Sequence, residues 1–316
     1  MKLIPTRFVR ATLSTAVLAA AALVAGCGGG GTAETFSAAR VIALGDESSV
    51  INADGSKYTV NALLAGSTTA VDCASNPIWV QAVAAHYGLV FPQCPGSASA
   101  PTSRIRASVG ATVADITTQI DAQLADGGFT SRDLVTVLVG ARDVLDQFAL
   151  YPAQTEAQIS DTLAARGAGL AAQVNRIAGY GARVLIVTIP DMGLTPFAGD
   201  RSAGSTNPNP AVLTRLSTRF NDNLLARLLN DGHQIGLVQL DQYLKSVDTA
   251  TRLGSTTFAN TTAVSCAVAL PGCTTATLVT AAASAVWLWA DAQHLSAQGQ
   301  ASLGSIAVSR AVNNPF

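Results

Sequence analysis

Short apolar runs alternate with longer stretches of helical spacing along most of the chain. Arg40-Val41-Ile42-Ala43-Leu44 ends in Gly45-Asp46 and reads as a buried strand entering a turn. Leu134-Val135-Thr136-Val137-Leu138-Val139, Val184-Leu185-Ile186-Val187-Thr188-Ile189 and the segment from Ile235 to Leu240 read the same way, the second stopped by Pro190. Between them, Asn76 to Leu89 carries Ile78, Val80, Val83 and Ala84 at helical spacing, with Pro77 near its start and Gly88 near its end. Ala111 to Leu124 places Val113, Ile116, Ile120 and Leu124 on one helical face. Gln158 to Ala178 is a long alanine-rich helix, Leu213 to Leu229 another, and Ser296 to Val312 a closing one.

Strands apolar on both faces, alternating with helices, predict an α/β fold: a doubly wound, mainly parallel sheet with helices on both faces, in three layers. Ligands of such sheets lie outside the carboxyl ends of the strands. Chemistry is therefore expected just after Leu44, Val139 and Ile189, and in the last loop before the closing helix.

The N-terminus has a different pattern. Lys2, Arg7 and Arg10 precede an apolar stretch from Ala11 to Ala25, followed by Val24-Ala25-Gly26-Cys27. A basic flank, a short apolar core and small residues before a cut mark a secretory signal. The run is shorter than the ~20 residues of a membrane span. A cysteine directly after small residues points to a bacterial lipoprotein signal over residues 1–26, with Cys27 lipidated. An ordinary cleavage near Gly26, or an uncleaved anchor, is the competing reading. Residues 27–37 then form a glycine-rich tether, and residues 38–316 one large domain. The expected location is the cell envelope, with the membrane as partner through Cys27. Gly28 in place of an Asp favours the outer membrane, facing the periplasm or exterior.

Composition adds exclusions and a redox setting. Charged residues make up 12 % of the chain and the formal net charge is -1, with no basic run that suggests nucleic acid. Besides Cys27 the chain has Cys73, Cys94, Cys266 and Cys273, an even number in an exported protein, which predicts two disulfides. Four cysteines allow three connectivities, and the short loops of Cys73–Cys94 and Cys266–Cys273 favour local pairing. No metal site is expected, because none of the three histidines lies beside these cysteines.

At the expected strand ends stand Gly45-Asp46-Glu47-Ser48-Ser49, Gly140-Ala141-Arg142-Asp143 and Pro190-Asp191-Met192-Gly193, with Asp291-Ala292-Gln293-His294 before the closing helix. This order resembles the SGNH or GDSL family of ester hydrolases, from about Arg40 to Val312. That family has Gly-Asp-Ser after the first strand, Gly-x-Asn-Asp after a later one and Asp-x-x-His before the last helix. Phe220-Asn221, and Phe258-Ala259-Asn260 followed by Cys266, extend the resemblance.

The resemblance implies a serine nucleophile, a histidine that takes its proton, an aspartate that orients the imidazole, and oxyanion donors from a glycine N–H and an asparagine. It implies no cofactor. Asp291 and His294 fit the last block, and Gly110 fits the glycine block. Two positions depart: Glu47 stands at the nucleophile position and Arg142 at the oxyanion asparagine. Their opposite charges predict a salt bridge between Glu47 and Arg142 across the oxyanion site. Ser48 is a shifted nucleophile candidate, Ser49 a weaker one, although one helical step turns a side chain by roughly 100° away from His294. Glu47 itself could attack as a carboxylate, and pairing with a cation would weaken it.

Other residues read more plainly. His86 belongs near a helix end, His233 in a turn, and Trp79, Trp287 and Trp289 in the core or a pocket wall. Asp46 makes turn hydrogen bonds, and Asp143 caps the segment from Val144. Two functions follow. One is a lipid-anchored ester hydrolase acting on an ester-bearing small molecule, lipid or glycan. The other is a catalytically inactive relative whose pocket binds a ligand or partner.

Overall fold

The structure, a computed structural model, describes residues 36–199, 209–229, 232–255, 257–280 and 286–313. The signal-like segment, Cys27 and the tether lie outside the described residues, apart from the tether's last two. Among the described residues no helix is long and apolar enough to cross a membrane.

The first strand, β1 (Arg40–Gly45), is followed by two small antiparallel strands, β2 (Ala62–Leu63) and β3 (Val71–Asp72). Then come α1 (Trp79–His86), β4 (Arg104–Ile105), α2 (Asp115–Ala125) and β5 (Asp133–Leu138). The chain continues with α3 (Ala141–Phe148), α4 (Glu156–Gly179), β6 (Arg183–Val187) and the single turn α5 (Pro196–Gly199). It closes with α6 (Pro210–Leu225), β7 (Ile235–Val238), α7 (Leu240–Arg252), β8 (Asn260–Val264), β9 (Trp287–Trp289) and α8 (Ala297–Asn313).

The main sheet is parallel throughout, in the order β4-β1-β5-β6-β7. Its strands are buried on both faces because residues of both parities are apolar. Ile42, Leu44, Val135, Val137, Val184 and Ile186 enter one large core with α2, α4 and α6. Val41, Ala43, Leu134, Leu185 and Val187 face the other way and are buried too. α8 packs on α1 and touches β6 and β7. Full burial of each such side chain contributes roughly 1.5–3 kcal/mol, so the sheet is the stable floor on which the loops sit. Chain order reverses at β1, between β4 and β5, and the loops that leave these three strands meet there.

The predicted α/β architecture matches, with boundaries moved by a few residues. Three helices were not expected, the single turn α5 and the longer α3 and α7. α3 begins directly after Gly140, and Asp143 is therefore inside its first turn rather than a cap. α7 begins at Leu240, where the apolar pattern places the end of the preceding strand. The disulfides are Cys73–Cys94 and Cys266–Cys273, the local pairing. Trp79 and Trp289 are fully buried, and Trp287 is half-buried. His86 closes α1 and is exposed, while His233 precedes β7. A buried lysine went unnoticed in the sequence: Lys57 Nζ donates to the carbonyls of Cys73, Ser75 and Asn76. Burial, only partly opposed by Asp72, lowers its pKa to about 8.

Candidate active site

The end of β1 is shaped by a glycine that only glycine can supply. Gly45 has φ +122°, and a Cβ there would lie 1.9 Å from the Leu138 carbonyl oxygen. Gln119 of α2 holds this residue at both ends: Gly45 N–H donates to its Oε1 (2.7 Å), and its Nε2 donates to the Gly45 carbonyl (2.9 Å). Asp46 then caps a 3₁₀ turn over Glu47–Ser49 by accepting from Ser48 N–H (3.0 Å), as its turn role predicted. The Glu47 side chain is thereby delivered to the carboxyl end of the sheet.

Its partner arrives from the other end of the chain. Asp291 accepts from the backbone N–H groups of Gln293 and His294, closing a tight turn. The same carboxylate lies against His294 Nδ1 at 2.9 and 2.8 Å. His294 Nε2 is 3.0 Å from Glu47 Oε1. The other Glu47 oxygen, Oε2, accepts from Gly110 N–H at 2.8 Å. Glu47 therefore spans two places at once: the contact a nucleophile makes with the histidine, and the contact an oxyanion makes with the glycine N–H. Gly110 itself is held because Ser108 N–H donates to the Gly45 carbonyl (3.1 Å), and because Val113 N–H donates to Asp143 of α3 (2.9 Å).

The predicted bridge between Glu47 and Arg142 does not form. Arg142 is the second residue of α3, so its guanidinium meets Asp146 one helical turn on (Nε–Oδ1 2.6 Å), and its side chain is 55 % exposed. Glu47 has the nearer partners His294 and Gly110. Arg142 nonetheless lines the same cavity as Glu47, Ser48, Pro190, Leu240 and His294. That cavity measures about 30 Å³. Ser48 lies in its wall, but the histidine nitrogen that a nucleophilic hydroxyl must reach is taken by Glu47. Ser49 is buried and accepts from Trp79 Nε1 (3.2 Å), so its hydroxyl is structural.

The remaining motif residues position the walls. The Phe220 ring lies beneath Gly140, which has φ +121°; a Cβ on Gly140 would be 2.4 Å from Phe220 Cζ. Asn221 brackets Ile189, accepting from its N–H (3.1 Å) and donating to its carbonyl (3.0 Å), which fixes the Pro190 loop. Tyr58 stands with its ring 6.1 Å from that of His294.

The electrostatics follow from this geometry. Burial opposes charge on His294, but the hydrogen bonds and negative charges of Asp291 and Glu47 outweigh it and push the pKa up to about 10. Burial would raise Glu47 and Asp291, yet their hydrogen bonds to His294, with help from Gly110 N–H for Glu47 and from backbone N–H groups for Asp291, leave both below the usual carboxylate range. Asp46 is different. Burial, followed by the neighbouring Glu47 charge, raises it to about 7. At neutral pH the centre is an imidazolium between two carboxylates. Among the described residues no group of three or more His, Cys, Asp or Glu is arranged to hold a metal ion.

Sequence reasoning missed Gln119 and Tyr58. Gln119 had a signal: it sits three residues after Ile116, a polar side chain within an apolar stripe. Tyr58 had none, because it lies in an irregular segment.

The sequence matches no protein-family model and no curated protein. Solved structures are similar in outline. A member of the lipolytic protein G-D-S-L family from Veillonella parvula shares 12 % identity, with 85 % of this chain and 96 % of that one covered and a TM-score of 0.44. An acetyl xylan esterase shares 12 %, covering 85 % of this chain and 98 % of the other at a TM-score of 0.45. An acetylxylan esterase from Geobacillus stearothermophilus shares 15 %, covering 88 % and 96 % at a TM-score of 0.43. The chain has an α/β fold with a five-stranded parallel sheet.

Proposed function

We propose that this protein is a lipid-anchored envelope protein whose esterase-like pocket does not carry out serine-dependent ester hydrolysis. The observation that supports this reading is the Glu47 carboxylate, which joins His294 Nε2 to Gly110 N–H. A serine hydrolase needs a neutral histidine to take the hydroxyl proton and an empty donor to receive the carbonyl oxygen. Glu47 removes both conditions: it stabilises the protonated imidazole and occupies the donor. The anchor belongs to the proposal as well, and Cys27→Ser should move the protein from the membrane fraction to the soluble fraction.

A chromogenic short-chain ester tests the reading. Wild type is expected to match His294→Ala and the uncatalysed rate. Glu47→Ser combined with Arg142→Asn is expected to raise hydrolysis at least tenfold above wild type. Wild-type turnover that disappears in Ser48→Ala would overturn the proposal in favour of a shifted nucleophile.

A further inference from the structure

We infer that Glu47 is a nucleophile toward saturated carbon, and that the pocket hydrolyses small primary alkyl halides through an alkyl ester of Glu47. The inference goes beyond the reading above and rests on it at one point: Glu47, and no serine, faces His294.

The chemistry separates two kinds of substrate. A carboxylate that attacks an ester gives an anhydride, which is more reactive than the ester consumed. A carboxylate that displaces a halide gives an ordinary ester and a stable anion. Carboxylates are established nucleophiles in enzymes. Glu47 is below the usual carboxylate range and is therefore ionised at neutral pH; its pairing with the His294 cation weakens it as a nucleophile, so the reaction calls for a leaving group as good as a halide.

Three features suit the second kind. First, Oε2 already rests on Gly110 N–H, where the carbonyl oxygen of a Glu47 ester would need an oxyanion donor. Second, His294, backed by Asp291, stands at the other oxygen, within reach of a water attacking the Glu47 Cδ. Third, the second replacement gains a purpose. Displacement at saturated carbon develops its negative charge on the leaving group, and Arg142, whose guanidinium is paired with Asp146, lines the same cavity. A volume of about 30 Å³ is room for about two waters, which suits a one- or two-carbon group.

The steps balance with water as the only co-reactant. A Glu47 oxygen forms a bond to carbon as the carbon–halogen bond breaks, and halide leaves with the electron pair. Alkylation removes one of the two anions that hold the proton on His294, and the imidazolium releases that proton to solvent. Water then adds to Cδ and passes a proton to Nε2. The bond between Cδ and the alkyl oxygen breaks, and Nε2 returns its proton to the departing alcohol. The new carboxylic acid passes its remaining proton to Nε2, which restores the imidazolium. Net, alkyl halide and water give alcohol, halide and one proton.

Because water adds to Cδ, the first alcohol released takes its oxygen from Glu47, and the solvent oxygen enters the enzyme. The full-length protein is incubated with bromoethane in water labelled with oxygen-18. Bromide is measured in solution, and the peptide bearing Glu47 is analysed by mass spectrometry. The expected result is bromide release with oxygen-18 in Glu47, a stable ethyl ester at Glu47 in His294→Gln, and neither signal in Glu47→Gln. Arg142→Ala is expected to slow bromide release at least tenfold. Absence of both bromide release and the Glu47 ester in folded wild type and folded His294→Gln would overturn the inference. So would bromide release with oxygen-18 in ethanol alone. A serine adduct with a fluorophosphonate would instead overturn the proposed function, and is told from the Glu47 ester by its mass and by the residue that carries it.

Discussion

Glu47 differs from a serine in reach as much as in charge. A serine oxygen sits one bond beyond Cβ, whereas the glutamate carboxylate lies two carbons farther and offers two oxygens. That length lets one side chain touch both His294 and Gly110. Removing its charge should therefore be felt at the histidine. In Glu47→Gln the imidazole pKa is expected to fall by at least one unit, read from the ring signals by NMR, while wild-type His294 stays protonated through pH 9. The same change should cost about 1.5–3 kcal/mol in chemical denaturation, the scale of a hydrogen bond to a charged group. The pH dependence of stability has a defined sign. The raised His294 contributes fully below its unfolded value of about 6.5 and loses its contribution as pH rises through about 10. Glu47 and Asp291 are lowered, so their contribution is present above roughly pH 4.5 and is lost as pH falls below it. Thermal denaturation should therefore show a plateau between about pH 4.5 and 6.5 and a decline from there toward pH 10, with His294→Gln less stable than wild type on the plateau and converging on it at the alkaline end.

At the scale of elements, the site depends on how strands end. β1 must stop at a residue whose backbone lies against Leu138, while the Gly110 turn stands in open space with φ +73°. Gly45→Ala is thus expected to be too strained to fold stably, because the clash is with backbone and has no rotamer to relieve it. Gly110→Ala should cost only about 1–2 kcal/mol of left-handed strain; denaturant melts of the two variants check the contrast. The main elements were legible because their apolar residues keep one period over many residues. α3 and α7 were not read. α3 has eight residues and buries only Asp143, Val144 and Phe148. The start of α7 borrows the last apolar residue of the strand pattern. The meeting of Asp291, His294, Gly110 and Glu47 was legible from motif order and strand ends. The partner of Glu47 was not, because charge alone suggested Arg142. The choice was made by helix geometry, which points Arg142 to Asp146, and by the reach of the glutamate.

For the whole molecule, the sheet supplies rigidity and the disulfides pin the loops over it. Cys73–Cys94 closes a separation of 21 residues and Cys266–Cys273 one of 7. On loop closure alone, loss of the first should cost about 3 kcal/mol and loss of the second somewhat less, measured as denaturant midpoints of the paired alanine variants. Both bridges fit an oxidising compartment, in keeping with the proposed envelope location. The whole fold presents an occupied, protonated centre where a serine hydrolase would present an activated hydroxyl. A fluorophosphonate probe followed by peptide mapping tests it most directly. Wild type is expected to give no serine adduct, and Glu47→Ser combined with Arg142→Asn an adduct at position 47. An adduct on Ser48 of the wild-type protein would contradict it.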